Sequence, residues 1–195
     1  MTIFEGDIKK LGLYLVTGKA PEDDPMAIPT KLTEPATKEA IDTAQKQLGL
    51  ALPASYKAFL LIANGGSIEG YASYNFYNEA LSREDDCLIG EFFNLSTLVE
   101  ANKKDWDLMI PKDMLMVCSN SGDTFNILLM DVSTSSIYLW DRDNQDPDSG
   151  EAFNMQDCFM IAATFDEFIK GIEVLGELTD EELAEIEALE GIGKP

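Results

Sequence analysis

Residues 37–66 read TKEAIDTAQKQLGLALPASYKAFLLIANGG. Ile41, Ala44 and Leu48 recur at the spacing of one helix face. Thr37 is placed to cap that helix, and Glu39 falls in its first turn, where the positive end of the helix dipole favours an acid. Gly49 predicts a stop. Pro53, with its fixed φ, suits the opening of a second helix whose apolar stripe is Tyr56, Phe59, Leu60 and Ala63. Asn64, Gly65 and Gly66 tolerate positive φ and are expected to end that helix, with at least one glycine in the left-handed region. The reading is a pair of short helices that releases the chain at its glycines.

Beyond the glycines the period changes from helix to strand. Residues 71–77 alternate aromatic with small or polar side chains, and 87–93 form a short apolar run. Ser96 is expected to cap a helix through Leu98, Val99 and Asn102 to Trp106, with Pro111 beyond it. Apolar segments 114–118, 125–132 and 137–140 follow, and the short polar turns between them predict an antiparallel meander. Thr164 and Glu167 have capping-box spacing ahead of a helix through Phe165, Phe168, Ile169 and Ile172, and Thr179 with Glu182 repeats it before a last acidic helix. Upstream, Pro21, Pro25, Pro29 and Pro35 mark an arm with one short strand or helix within 8–16. The chain thus divides into an N-terminal arm (1–36), a core domain (37–178) and an acidic C-terminal helix (179–195). The fold class is α+β, a mixed, mainly antiparallel sheet of about five or six strands with helices packed on it.

Composition narrows the function. Of 195 residues, 45% are apolar, including ten Phe, six Tyr and two Trp, enough for a sizeable core. Thirty-six acidic residues against fourteen basic ones give a net charge of −22. That field repels phosphate backbones and anionic lipid, which argues against nucleic acid and membrane as partners; it favours a basic partner and also serves solubility. Three separated cysteines, Cys87, Cys118 and Cys158, fit a reducing, cytoplasmic compartment, and with no histidine the usual zinc sets and a Ser–His–Asp triad are out of reach. Cys118 has no His to activate it and reads as a core thiol. The apolar run at 11–16 is too short for a signal peptide, and no stretch approaches the roughly 18 apolar residues of a membrane span. Read as a calcium loop, the run from Asp141 fails, since its sixth position is Asp146 and its twelfth is Ala152. No phosphate-binding glycine motif occurs, so no cofactor is implied and the chain is read as a non-enzyme.

Four ordered pieces resemble the SUKH superfamily, which comprises many bacterial immunity proteins and fungal cell-wall-synthesis regulators. The first, residues 41–60, is similar to the family's helix, "LG-x-x-LP", then "x-Y-K-x-F-L" pattern, carried here by Gly49, Pro53, Tyr56 and Phe59. The second is Asn64-Gly65-Gly66. The third runs from Gly122-Asp123 to a strand ending Ile137-Tyr138-Leu139-Trp140-Asp141, and the fourth is residues 161–169, like the family's "I-A-x-S-F-x-E-F-L". Physically these read as architecture: Gly49 and Pro53 set the turn between helices, Tyr56 and Phe59 pack, Gly65 and Gly66 release the chain into the sheet, and Trp140 anchors a strand end.

The resemblance implies an immunity protein that binds and neutralises a cognate protein toxin by occlusion. A nuclease toxin fits, because its basic substrate groove would attract carboxylates. The rival is an intracellular scaffold or regulator that recruits cellular proteins; an enzyme using carboxylates alone is the third reading. Recognition is expected in exposed acidic loops outside the motif: Asp141, Asp143, Asp146 and Asp148 after Trp140 first, then Glu84, Asp85 and Asp86.

Overall fold

The computed structural model describes residues 5–16, 30–68, 70–78, 82–103, 110–120, 127–140 and 155–176. Two helices open the core domain, α2 (Lys38–Leu48) and α3 (Ala54–Leu60), preceded by a short α1 (Glu5–Lys10). The Thr37 side chain accepts the Ala40 N–H at 3.1 Å, and Gly49 closes α2 in the left-handed region at φ 72°, its N–H donating to Gln45 O. Gln45 also accepts the Leu52 N–H at 2.9 Å, which ties the linker back onto α2. Pro53 is the residue just before α3, at φ −55°.

α3 stops sooner than its stripe suggests. It ends at Leu60, and Ile62 and Ala63 both donate to Phe59 O in a turn, so Ala63 stays buried outside the helix. Asn64, Gly65 and Gly66 come after that turn, with the glycines at φ 74° and 116°, and deliver the chain to β3 (Gly66–Ser67).

The sheet has ten strands rather than five or six, and every pairing between described strands is antiparallel. The extra strands are short or lie at edges. They are β1 (Tyr14–Val16) and β2 (Thr30–Leu32) from the N-terminal segment, β3, β9 (Cys158–Ala162) and β10 (Ile172–Gly176). Segments this brief carry too few residues for an alternating pattern. Between them run β4 (Tyr71–Asn78), β5 (Arg83–Phe92), β6 (Met114–Asn120), β7 (Ile127–Asp131) and β8 (Ile137–Trp140). Strands β6, β7 and β8 form the expected meander.

β5 joins two parts of the sheet. Its first half pairs with β4, which pairs in turn with β10; its last residues pair with β3 and β6, continuing to β9 on one side and β2 on the other. Along β5, β3 and β4 follow one another in the same direction. Ser67 faces Glu91 and Ser73 faces Leu88, so the intervening chain is displaced from the ladder.

Two further helices differ from expectation at their ends. Asn94, not Ser96, caps α4 (Leu95–Lys103), its Oδ1 accepting the N–H groups of Ser96 and Thr97 at 3.0 Å each. Trp106 lies outside the described residues. Thr164 caps α5 (Phe165–Gly171) by accepting the Glu167 N–H at 3.1 Å, but the helix gives way at Ile172, where ψ of 124° starts β10.

The main core lies on one face of the sheet, where Tyr56, Phe59, Phe92, Phe165 and Phe168 pack ring to ring with centroids 5.1–6.4 Å apart. Ile8, Leu11 and Leu13 from the N-terminal segment enter the same core. A smaller cluster of Met114, Met116, Ile127, Leu129 and Trp140 fills the opposite face of the meander, so β6 to β8 are buried on both sides. The second acidic helix expected from Thr179 lies outside the described residues.

Candidate partner-binding face

The motif residues build the frame. Asn64 Oδ1 accepts the Leu95 N–H at 3.0 Å, while the Asn64 N–H donates to Glu34 O at 3.3 Å, joining the start of α4 to the N-terminal segment. A Cβ on Gly65 would lie 2.5 Å from Asn94 N and 2.6 Å from Phe92 O, and one on Gly66 would lie 2.6 Å from Tyr14 O. Backbone passes backbone here at a distance only glycine allows. Trp140 is fully buried at the end of β8, in register with Ile127 and Cys158.

Of the acids expected to bind a partner, Asp141, Asp143, Asp146 and Asp148 lie outside the described residues. Glu84, Asp85 and Asp86 were expected on a loop and instead open strand β5. Acids are poor strand formers, but pairing with the long aromatic strand β4 overrides that preference. Register places Asn75 opposite Asp86, Phe76 opposite Asp85 and Tyr77 opposite Glu84.

The strand period then separates the three acids. Phe76, Tyr74 and Cys87 are buried in the core, so Asp85 shares their side of the sheet. There it accepts the Asn78 Nδ2–H at 3.2 Å and lies 3.6 Å from the Arg83 guanidinium. Glu84 and Asp86 point the other way, both exposed, beside exposed Asn75 and a Tyr77 that keeps 55% of its surface accessible. Glu173 of β10, opposite Ser73, adds a third exposed acid to the same face, and Tyr71 adds a second accessible ring. Among the described residues, no lysine or arginine is ion-paired to Glu84, Asp86 or Glu173.

The face combines residues the sequence reading singled out with three it missed. Asn75 and Tyr77 were legible as strand residues, but only the register with β5 puts them opposite Asp86 and Glu84, and Glu173 reaches the same face only through the pairing of β10 with β4. Cys118 is fully buried, donates its thiol to Ser119 O at 3.2 Å, and is pushed well above the ordinary thiol range by burial, then by Cys87. A neutral thiol in that position is a poor nucleophile. Among the described residues, no group of three or more Cys, Asp or Glu converges as a metal set. Nor is any described helix long and apolar enough to cross a membrane.

The fold and its glycine junction agree with a match to a family model, that of SMI1 / KNR4 (SUKH-1), over residues 35–171. The chain belongs to this family. The SMI1 / KNR4 family includes toxin immunity proteins and cell-wall regulators. The match spans α2 to α5 and so contains β4 and β5 of the exposed face, while Glu173 falls just past its end. Comparison with curated proteins gave no match.

Proposed function

We propose that this SUKH-1 chain is an immunity protein that binds a cognate toxin with a basic surface and neutralises it by occlusion. The observation that carries the reading is the outward face of β4 and β5. Carboxylates at Glu84 and Asp86 stand beside an accessible tyrosine on a rigid strand pair, in a chain of net charge −22. Such a surface steers a cationic protein toward it and holds it by charge-assisted hydrogen bonds around an aromatic contact. Occlusion needs no catalytic group; it needs a stable surface of opposite sign. A nuclease toxin suits this best, because carboxylates occupy the positions its substrate's phosphates would take.

The test is protection. Where a neighbouring gene encodes a toxin domain, that domain is expressed with and without the protein, and the pair is purified together. Growth rescue and a stoichiometric complex are expected. Folded protein that neither rescues growth nor co-purifies would sink the reading and favour the regulator class of the family.

A further inference from the structure

We propose that the outward face of β4 and β5 reads arginine side chains on its protein partner, in preference to lysine. This rests on the reading of the face as partner-binding and names its chemistry. Tyr77 and Glu84 are directly opposite each other in the ladder, as are Asn75 and Asp86. Side chains so paired have Cβ atoms about 4.5–5.5 Å apart, so each carboxylate stands beside the flat group across from it. A guanidinium is planar, stacks on an aromatic face, and donates two parallel N–H bonds to one carboxylate. The Tyr77–Glu84 pair offers both contacts at once. A lysine ammonium is compact and strongly hydrated and gains less from the ring.

Spacing sets the shape of the partner. Glu84 and Asp86 are two residues apart on one strand and so repeat at about 7 Å on the same face. An extended segment with arginine at alternate positions repeats at the same distance. Behind them Phe76 and Cys87 are buried, which holds β4 and β5 in register and leaves the two carboxylates already placed. Asp85, already engaged by Arg83 and Asn78, takes no part. Glu173 extends the negative field toward β10.

The experiment uses the full chain with short oligoarginine and oligolysine peptides of equal length as probes, read by backbone amide NMR shifts and by calorimetry. Shifts are expected to concentrate on Asn75, Tyr77, Glu84 and Asp86, with oligoarginine binding tighter. Glu84→Gln with Asp86→Asn should weaken oligoarginine about tenfold, the loss expected of charge-assisted bonds on an exposed face. Tyr77→Ala should narrow the preference for arginine over lysine. Glu39→Gln with Asp42→Asn makes the same change in net charge on exposed positions of α2 and should change binding little. Should the double variant on β5 not fold, Glu84→Gln alone serves.

Equal weakening by the α2 pair, no arginine preference, or shifts elsewhere would overturn the proposal. The two readings part cleanly. A toxin still neutralised by the Glu84→Gln, Asp86→Asn variant removes this face and leaves the immunity function standing. Arginine binding here without protection against any toxin does the reverse.

Discussion

Tyr56 shows how one side chain can be partly legible. Its ring stacks on Phe59 at 5.9 Å, as its helical spacing predicts, and meets Phe165 of α5 edge-on at 5.1 Å. Its hydroxyl is buried with no hydrogen-bond partner among the described residues, and burial raises its pKa, with Cys118 adding to the effect. Nothing in the spacing of 56, 59 and 60 forecasts that, because an unmet hydroxyl depends on neighbours distant in the chain. An unpaired buried hydroxyl costs about 1–3 kcal/mol. Tyr56→Phe should therefore fold and be as stable as the parent, or more stable by about 1 kcal/mol. Denaturant unfolding decides it, and a large loss would mean the hydroxyl has a partner.

The thiols make a second case at this scale. Burial, with Asp86 beside Cys87 and Asp157 beside Cys158, pushes both from 9.0 up to about 12. An unfolded chain loses these protons first, so the stability present below pH 9.0 should drain away as pH rises toward about 12. A denaturation midpoint that stays flat over that range would refute the shifts. At neutral pH, half-exposed Cys158 should react with a thiol reagent before buried Cys87 and Cys118.

Among the elements, two glycines with nearly equal φ ought to respond very differently. Gly49 at φ 72° has nothing within 4 Å of a built Cβ, so Gly49→Ala should cost about 1 kcal/mol, the strain of the left-handed region alone. Gly65 at φ 74° adds a collision with the backbone of Phe92, Phe93 and Asn94, which cannot move aside. Gly65→Ala should cost more than about 3 kcal/mol, read as the difference between their unfolding free energies. Both glycines announce turns in the sequence; only the packed structure says which one is a crossing of chains. Asn102 was legible merely as a residue of α4. In the structure its side chain pairs with Met116 as a strand would, accepting the Met116 N–H at 2.9 Å and donating to Met116 O at 3.0 Å. Asn102→Ala strands both groups and should cost about 2–3 kcal/mol, whereas Asn102→Asp should recover only the acceptor half. Equal stability of parent and alanine variant would show that water replaces the amide.

On the scale of the whole molecule, a net charge of −22 in one small protein means self-repulsion. Raising the salt concentration from low to moderate should raise the thermal midpoint, because screening acts between exposed charges. A midpoint that falls would show that ion pairs such as Glu5–Lys9 outweigh the repulsion. The meander and the capped helices were readable because each repeats one period over enough residues. The strand count was not, since β1, β2 and β3 exist through pairing with distant segments. The exposed face was half readable for a related reason: its acids stand out in the sequence, but their outward or inward sense follows from register. That alternation on β5 also constrains how such a protein can diverge. Exchanges at 75, 77, 84 and 86 alter what the surface meets and leave the interior alone. Adding or deleting one residue within β5 would turn Cys87 to solvent and drive Glu84 and Asp86 inward. Descendants that change what this face meets should therefore differ by replacement along this strand, with changes of length confined to segments beyond it.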